Sequence, residues 1–232
     1  MKAFVLMAWL VLAGVSGAVA DKIDEEIRAE IQRRVGPPIS VSVQGGAVSL
    51  SGTVTTLAQK VNAANQAWRT IGVRSVSDGI RVVPARKVRD DEIARSARAS
   101  ISGGLPEPEA DVVGVSVRDG VVTLSGFLPN CHTKQVAGML VSVIPGVVDL
   151  VNEIVVRPPK RRSDAEILSD VRARFSKNPL IPADRIRATV FDGIVVLTGT
   201  VSSFLQADQA ESCACFVPGV ITVRNQLFVS GE

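Results

Sequence analysis

Cys131 and His132 stand side by side, and His132 is the one histidine of this 232-residue chain. A thiol beside an imidazole is the material of a nucleophile and its base. Adjacent residues at a helix start do not align for that proton transfer, and no acidic residue keeps phase with them as an orienting third group. The pair reads as a surface histidine next to a small buried thiol. Cys213 and Cys215 are two apart on a predicted helix, so their side chains leave it in different directions. They cannot easily bridge each other, and a Cys-x-Cys metal site would lack histidine partners. Three cysteines make an odd count, which in an oxidising compartment leaves at least one thiol free or intermolecular. No phosphate loop, metal-ligand cluster or cofactor fingerprint is present. The expectation is a protein that is not an enzyme, with no catalytic residues, no metal and no cofactor.

The other reactive groups are cations. Arg86, Lys87 and Arg89 follow Pro84; Lys160, Arg161 and Arg162 follow Pro158-Pro159. One reading of such clusters is a solvated linker. The other is electrostatic contact with an anionic surface. These six residues are the candidate anionic-lipid contacts. Over the whole chain, 26 Lys and Arg face 23 Asp and Glu, so the net charge is small though unevenly placed. In an exported protein the anionic surface would be phospholipid or another polyanion rather than nucleic acid.

Export is expected from residues 1–20. Lys2 supplies a positive start, Ala3 to Val15 is uncharged and mostly apolar, and Ala18-Val19-Ala20 gives an A-x-A cleavage site before Asp21. The apolar run is short for a bilayer span, and the pattern is that of a signal peptide. No later stretch is long and apolar enough to span a membrane. The expected location is the periplasm.

What must position these groups is a threefold repeat. Gly52, Gly126 and Gly199 end the matching runs Ser-Leu-Ser-Gly, Thr-Leu-Ser-Gly and Val-Leu-Thr-Gly. The turn glycines Gly46, Gly120 and Gly193 keep the same spacing, as do Gly72-Val73, Gly146-Val147 and Gly219-Val220. Asp78, Asn152 and Asn225 form a fourth phased column. So long a period suits a small self-contained domain, not a solenoid unit.

Each copy reads helix, strand, strand, helix, strand. First helices are expected to be capped at Asp24, at Asp90 or Asp91, and at Ser163 or Asp164. Gly45-Gly46, Asp119-Gly120 and Asp192-Gly193 lie between alternating apolar residues, a strong hairpin signal. Second helices are expected near residues 56–70, 130–144 and 203–216, stopping before Gly72, Gly146 and Gly219. A strand, a helix and a strand make a crossover, which predicts a third strand parallel to the second. The fold class is α+β: three tandem α-β-β-α-β domains, each a small three-stranded mixed sheet covered on one face by two helices. The domains are expected at 21–84, 88–157 and 163–230. The Gly52, Gly126 and Gly199 column is read as packing, leaving room for Ala63, Ala137 and Ala210 on the covering helix. Proline-bearing loops at 103–108 and 178–182 have no counterpart in the shorter first copy. No cysteine recurs between copies, so no disulfide framework is expected, and Cys131 replaces Leu57 and Phe204 as a small buried hydrophobe.

The pattern resembles the BON domain, named for bacterial osmotic-stress Y and nodulation proteins. The residues behind the resemblance are DDEI at Asp90–Ile93, VRDGVVTLSG at Val117–Gly126 and VIPGVVDLVNEIVV at Val143–Val156. VFDGIVVLTG at Val190–Gly199 and VPGVITVRNQLFV at Val217–Val229 continue it. The first copy departs at Gly45 and at Asp78-Gly79. The resemblance implies an envelope protein associated with phospholipid binding, osmotic stress and envelope integrity. Family lipid contacts follow no fixed motif, so none transfers here residue by residue.

Two functions follow as expectations. The first is a non-enzymatic periplasmic protein that binds anionic phospholipid membranes peripherally. First-helix arginines Arg28, Arg33, Arg34, Arg95, Arg98, Arg172 and Arg174 favour it; interleaved acids and scarce aromatics weigh against it. The second is a scaffold or chaperone-like adaptor for envelope proteins, marked by an exposed apolar patch. Trp68, the one tryptophan after residue 20, either points outward as part of such a patch or covers the short first-copy core.

Overall fold

The computed structural model describes residues 21–230; the expected signal peptide lies outside them. Helix α1 covers residues 21–35. The hairpin β1 (Ile39–Gln44) and β2 (Ala47–Val54) follows, then α2 (Leu57–Trp68) and β3 (Ser75–Val82). The second copy is α3 (Asp90–Gly104), β4 (Val113–Arg118), β5 (Val121–Leu128), α4 (Cys131–Ser142) and a third strand broken into β6 (Asp149–Asn152) and β7 (Val155–Val156). The third is α5 (Asp164–Lys177), β8 (Ile186–Phe191), β9 (Ile194–Val201), α6 (Phe204–Cys215) and β10 (Thr222–Val229).

Each hairpin is antiparallel. Each third strand lies parallel on the middle strand, because the intervening helix carries the chain back to the same end of the sheet. The result is the expected α+β fold, three mixed sheets in tandem. Period-two alternation buries Val48 and Leu50, Val122 and Leu124, Val195 and Leu197 beneath the helices. Ile31 and Ile80, Ile93 and Ile154, Ile167 and Val220 complete three separate core clusters. The second helices start at true caps. Side-chain oxygens of Thr56, Asn130 and Ser203 accept from the backbone N–H three residues on, satisfying a donor left over at a helix start.

The expected cap at Ser163 holds, its hydroxyl accepting from the Glu166 N–H, whereas the aspartates differ from expectation. Arg89 and Ser163 are the residues before α3 and α5, and Asp90 and Asp164 lie inside the first turn. Their carboxylates reach across to the hairpin. Asp90 accepts from Asp119 N–H at 2.8 Å and Gly120 N–H at 3.0 Å. Asp164 accepts from Asp192 and Gly193, both at 2.9 Å. Asp24 does the same with Gly45 at 2.6 Å and Gly46 at 3.0 Å. Both turn residues have positive φ in every copy, which aims their N–H groups at one acceptor.

The glycine column also has a different cause. Gly52, Gly126 and Gly199 have φ of +129°, +115° and +129°. A Cβ on Gly126 would overlap the carbonyl oxygen of Val112, the residue just before the neighbouring strand β4. Gly52 and Gly199 meet Pro38 and Arg185 in the same way. The obstacle is backbone, not Ala137, although Ala137 is fully buried. Gly103 and Gly104 belong to the end of α3, not to the expected loop.

The fourth column locks the third strand to the second helix. Asn152 donates to the Lys134 carbonyl at 3.0 Å and Asn225 to the Ala207 carbonyl at 3.1 Å. Asp78 has no N–H to donate; it faces the Lys60 ammonium instead, at 3.8 Å. Lys60 and Lys134 occupy the same place in their repeats, so one lysine serves through its carbonyl and the other through its side chain.

Candidate functional site

Both basic linkers run in the same kind of groove. Arg86, Lys87 and Arg89 line an open channel with Asp119, Gly120, Gly146 and Val148. Lys160, Arg161 and Arg162 line another with Asp192, Gly193, Gly219 and Ile221. Each linker therefore crosses the hairpin turn and the Gly-Val turn of the domain it leads into. The six cations are not alike. Arg86 pairs with Glu92 at 3.0 Å and Arg89 with Asp91 at 2.8 Å. Arg162 pairs with Asp170 at 2.8 Å and donates to the Pro218 carbonyl at 3.2 Å. Lys87, Lys160 and Arg161 are exposed and join no ion pair among the described residues.

Most first-helix arginines are already engaged. Arg28 pairs with Glu25, Arg33 and Arg34 with Glu30, and Arg95 with Asp91. Arg98 donates to the Val115 carbonyl at 3.1 Å. The Arg28 hydrogen bond holds the Glu25 carboxyl below its ordinary range, and Glu25 in turn raises Arg28. Glu166 is also held low, first by the Ser163 hydroxyl and then by the Ser163 backbone N–H. It closes a capping box on α5.

The ends of the second helices bring the reactive residues together. Leu57, Cys131 and Phe204 open α2, α4 and α6; Trp68, Ser142 and Cys215 close them. Leu57 is buried within the second domain's core. Cys131 lies within the third domain's core and is disulfide-bonded to Cys215, with Cα atoms 5.3 Å apart. Phe204 stacks on Trp68 of the first domain, centroids 4.6 Å apart. Two helix starts thus meet a helix end of another domain, and Leu57 joins the first domain to the core of the second, so the three domains are linked in a ring. His132 stacks on Phe216 at 3.8 Å, and Arg69 pairs with Asp208 at 3.2 Å.

Three expectations change here. Cys131 is buried, but as half of an interdomain disulfide rather than as a free hydrophobe. His132 is half-buried under an aromatic ring, not a plain surface histidine. Trp68 both lies against its own core and joins the third domain. Cys213 is the cysteine left unpaired. The disulfide joins two different columns of the repeat, so no single column carries it. The signal available was that the columns at helix starts and helix ends hold Phe204, Trp68, Cys131 and Cys215 in complementary domains. Among the described residues, no three His, Cys, Asp or Glu side chains are placed to hold a metal, and no helix is long and apolar enough to cross a membrane.

The family model of the BON domain matches residues 18–84, 89–158 and 163–231. These matches span most of the chain, which belongs to the BON domain family. The chain is 32% identical over 121 residues to osmotically-inducible protein Y of Escherichia coli (strain K12). That alignment covers 50% of this chain and 60% of the relative's length. Two solved structures of CdsD, a structural protein of the type III secretion system of Chlamydia trachomatis, align at 16% and 15% identity. They cover 89% and 88% of this chain and 96% and 92% of theirs, with TM-scores of 0.25 and 0.24.

Proposed function

From its three BON domains, we propose that this chain is a non-enzymatic, exported protein of the bacterial envelope that binds anionic phospholipid surfaces peripherally, in the service of osmotic-stress tolerance or envelope integrity. The observation behind the lipid reading is the trio Lys87, Lys160 and Arg161: exposed, unpaired and presented from two equivalent grooves. Each basic residue near an anionic leaflet contributes about 1 kcal/mol, so binding is weak and falls as salt rises. The likeness to osmotically-inducible protein Y supports the stress role. The Cys131–Cys215 bond supports an oxidising compartment such as the periplasm.

Co-sedimentation with neutral and anionic vesicles at two salt concentrations tests this. Replacing Arg86, Lys87, Arg89, Lys160, Arg161 and Arg162 by serine should abolish most anionic binding. Replacing Lys87, Lys160 and Arg161 alone should account for part of that loss, and Arg162→Ser alone for little, since Arg162 is held by Asp170 and the Pro218 carbonyl. A wild-type protein indifferent to anionic vesicles at low salt would remove the lipid reading.

A protein-interaction scaffold is then the better reading, and one surface favours it. On the second sheet, the face away from the helices exposes Phe127, Val151 and Val155 by 43%, 42% and 49%. Phe127 and Val155 are direct register partners, and the Arg157 guanidinium lies 3.5 Å over the Phe127 ring.

A further inference from the structure

We propose that the Cys131–Cys215 bond is a dithiol-exchange site, and that its state decides whether the three domains hold a closed ring. The proposal is independent of the lipid reading. The bond links residues 84 apart in sequence and joins two domains that have their own sheets and cores. Opening it therefore leaves each domain able to stay folded. What it controls is how the domains sit together.

Among the described residues, the other paired side chains between the third domain and its neighbours are few. They include one stacked pair with each neighbour, Trp68–Phe204 and His132–Phe216. The Arg69–Asp208 ion pair is about 40% exposed on both sides, at 42% and 39%, where pairs contribute little. Domains joined only by small interfaces move relative to one another. With the bond intact, Phe204 is held close to Trp68 as an effectively intramolecular partner. With the bond open, the third domain is covalently tethered to the second only through the linker at 157–162 and otherwise held by these few contacts.

The bond is buried, and its edge nearest solvent is Cys131, which is 8% exposed. Cys215 is fully buried. Cys131 lines an open groove between the β6–β7 edge of the second domain and the start of β10 in the third. Lys134, one helical turn from Cys131, lines the same groove together with Glu153 and Glu211, so a small neutral dithiol meets no strong field of one sign there. A small dithiol entering there attacks the Cys131 sulfur; Cys215 leaves as a thiolate and takes up a proton. The second thiol of the reagent then displaces Cys131 from the mixed disulfide. The protein ends with two thiols, having gained two electrons and two protons. The reagent ends as a cyclic disulfide.

Trp68 is a built-in reporter. In the full chain carrying Trp9→Phe, it is the sole tryptophan. Treatment with dithiothreitol should raise acrylamide quenching of Trp68 roughly twofold as Phe204 leaves it. It should also enlarge the radius of gyration by small-angle scattering and leave the far-ultraviolet dichroism of the three domains unchanged. Untreated Cys131→Ser should already match the reduced protein. Cys213→Ser should behave as the parent in both states, since it is outside the bond. Should Cys131→Ser fail to fold, reduction of the folded parent gives the same test. The proposal is overturned if alkylation finds three free thiols in the untreated protein. It is equally overturned if reduction is complete by mass while quenching and radius stay unchanged.

Discussion

Phe204 at the start of α6 stacks on Trp68 at the end of α2, and this is the same helix-start to helix-end contact that Cys131 and Cys215 make between the second and third domains. One repeat-derived geometry is thus filled by an aromatic pair in one place and a covalent bond in another. Stacked rings contribute about 0.5–1.5 kcal/mol beyond the area they bury. A double-mutant cycle of Trp68→Ala and Phe204→Ala in urea denaturation should give a coupling energy in that range. Additive losses would show that the two rings are neighbours without mutual stabilisation.

The Asp90 carboxylate ties α3 to the β4–β5 turn through two backbone N–H groups. Charged acceptors make strong hydrogen bonds, and losing one leaves its donors to water at a half-exposed turn. Asp90→Ala should lower stability by about 1–3 kcal/mol. Asp90→Asn keeps one acceptor and should lose less. Thermal melts of the two variants check the order, and Asp164→Ala should parallel Asp90→Ala.

Gly126→Val should destabilise the second domain by about 1–3 kcal/mol or more, from overpacking and a disfavoured φ. Because the obstacle is the Val112 carbonyl, Ala137→Gly should not rescue it. Recovery of the melting temperature in that double variant would return the cause to the covering helix.

Glu166 is fully exposed, and its carboxyl is held below the ordinary glutamate range by hydrogen bonds from Ser163. A depressed folded-state pKa adds stability that is present above the unfolded value and lost as pH falls through the folded one. Glu166→Gln removes the titration. The stability difference between the parent and this variant should therefore shrink as pH drops from neutral through the acidic carboxylate range. Denaturation midpoints at several pH values measure it; a difference independent of pH would mean that the capping charge does not matter.

Trypsin should cut the linkers before the domains, and unevenly. Lys87, Lys160 and Arg161 are exposed and unpaired, whereas the Arg162 side chain is only 22% exposed and held by Asp170 and Pro218. Early fragments should end at Arg86, Lys87, Arg89, Lys160 or Arg161, and last at Arg162; the Arg86 and Arg89 side chains are 68% and 75% exposed. First cleavage within a helix or strand would contradict the linker assignment.

The repeat was legible in sequence because each domain's fold is set by local rules. Alternating apolar residues define the strands, as at Val122 and Leu124. Asp-Gly and Gly-Gly mark the turns, and Thr56, Asn130 and Ser203 begin the second helices. A helix between two strands sets the parallel crossover. The six linker cations were legible as a charge cluster, but not which three were free. Glu92, Asp91 and Asp170, which neutralise the others, are chosen by helix geometry. The role of Asp24, Asp90 and Asp164 was also hidden, since an aspartate before an apolar helix reads as a cap whether or not its carboxylate bends toward a distant turn.

Sequence alone determined three copies of one α+β domain, their cores and the cations between them, because residues close in the chain dictate these features. Tertiary structure decided the rest: the reason for Gly126, the ring of second helices, the stack of Trp68 on Phe204 and the bond from Cys131 to Cys215. Those depend on how separately folded units meet. That meeting is set by surface shape across 84 residues of chain, and no local periodicity encodes it.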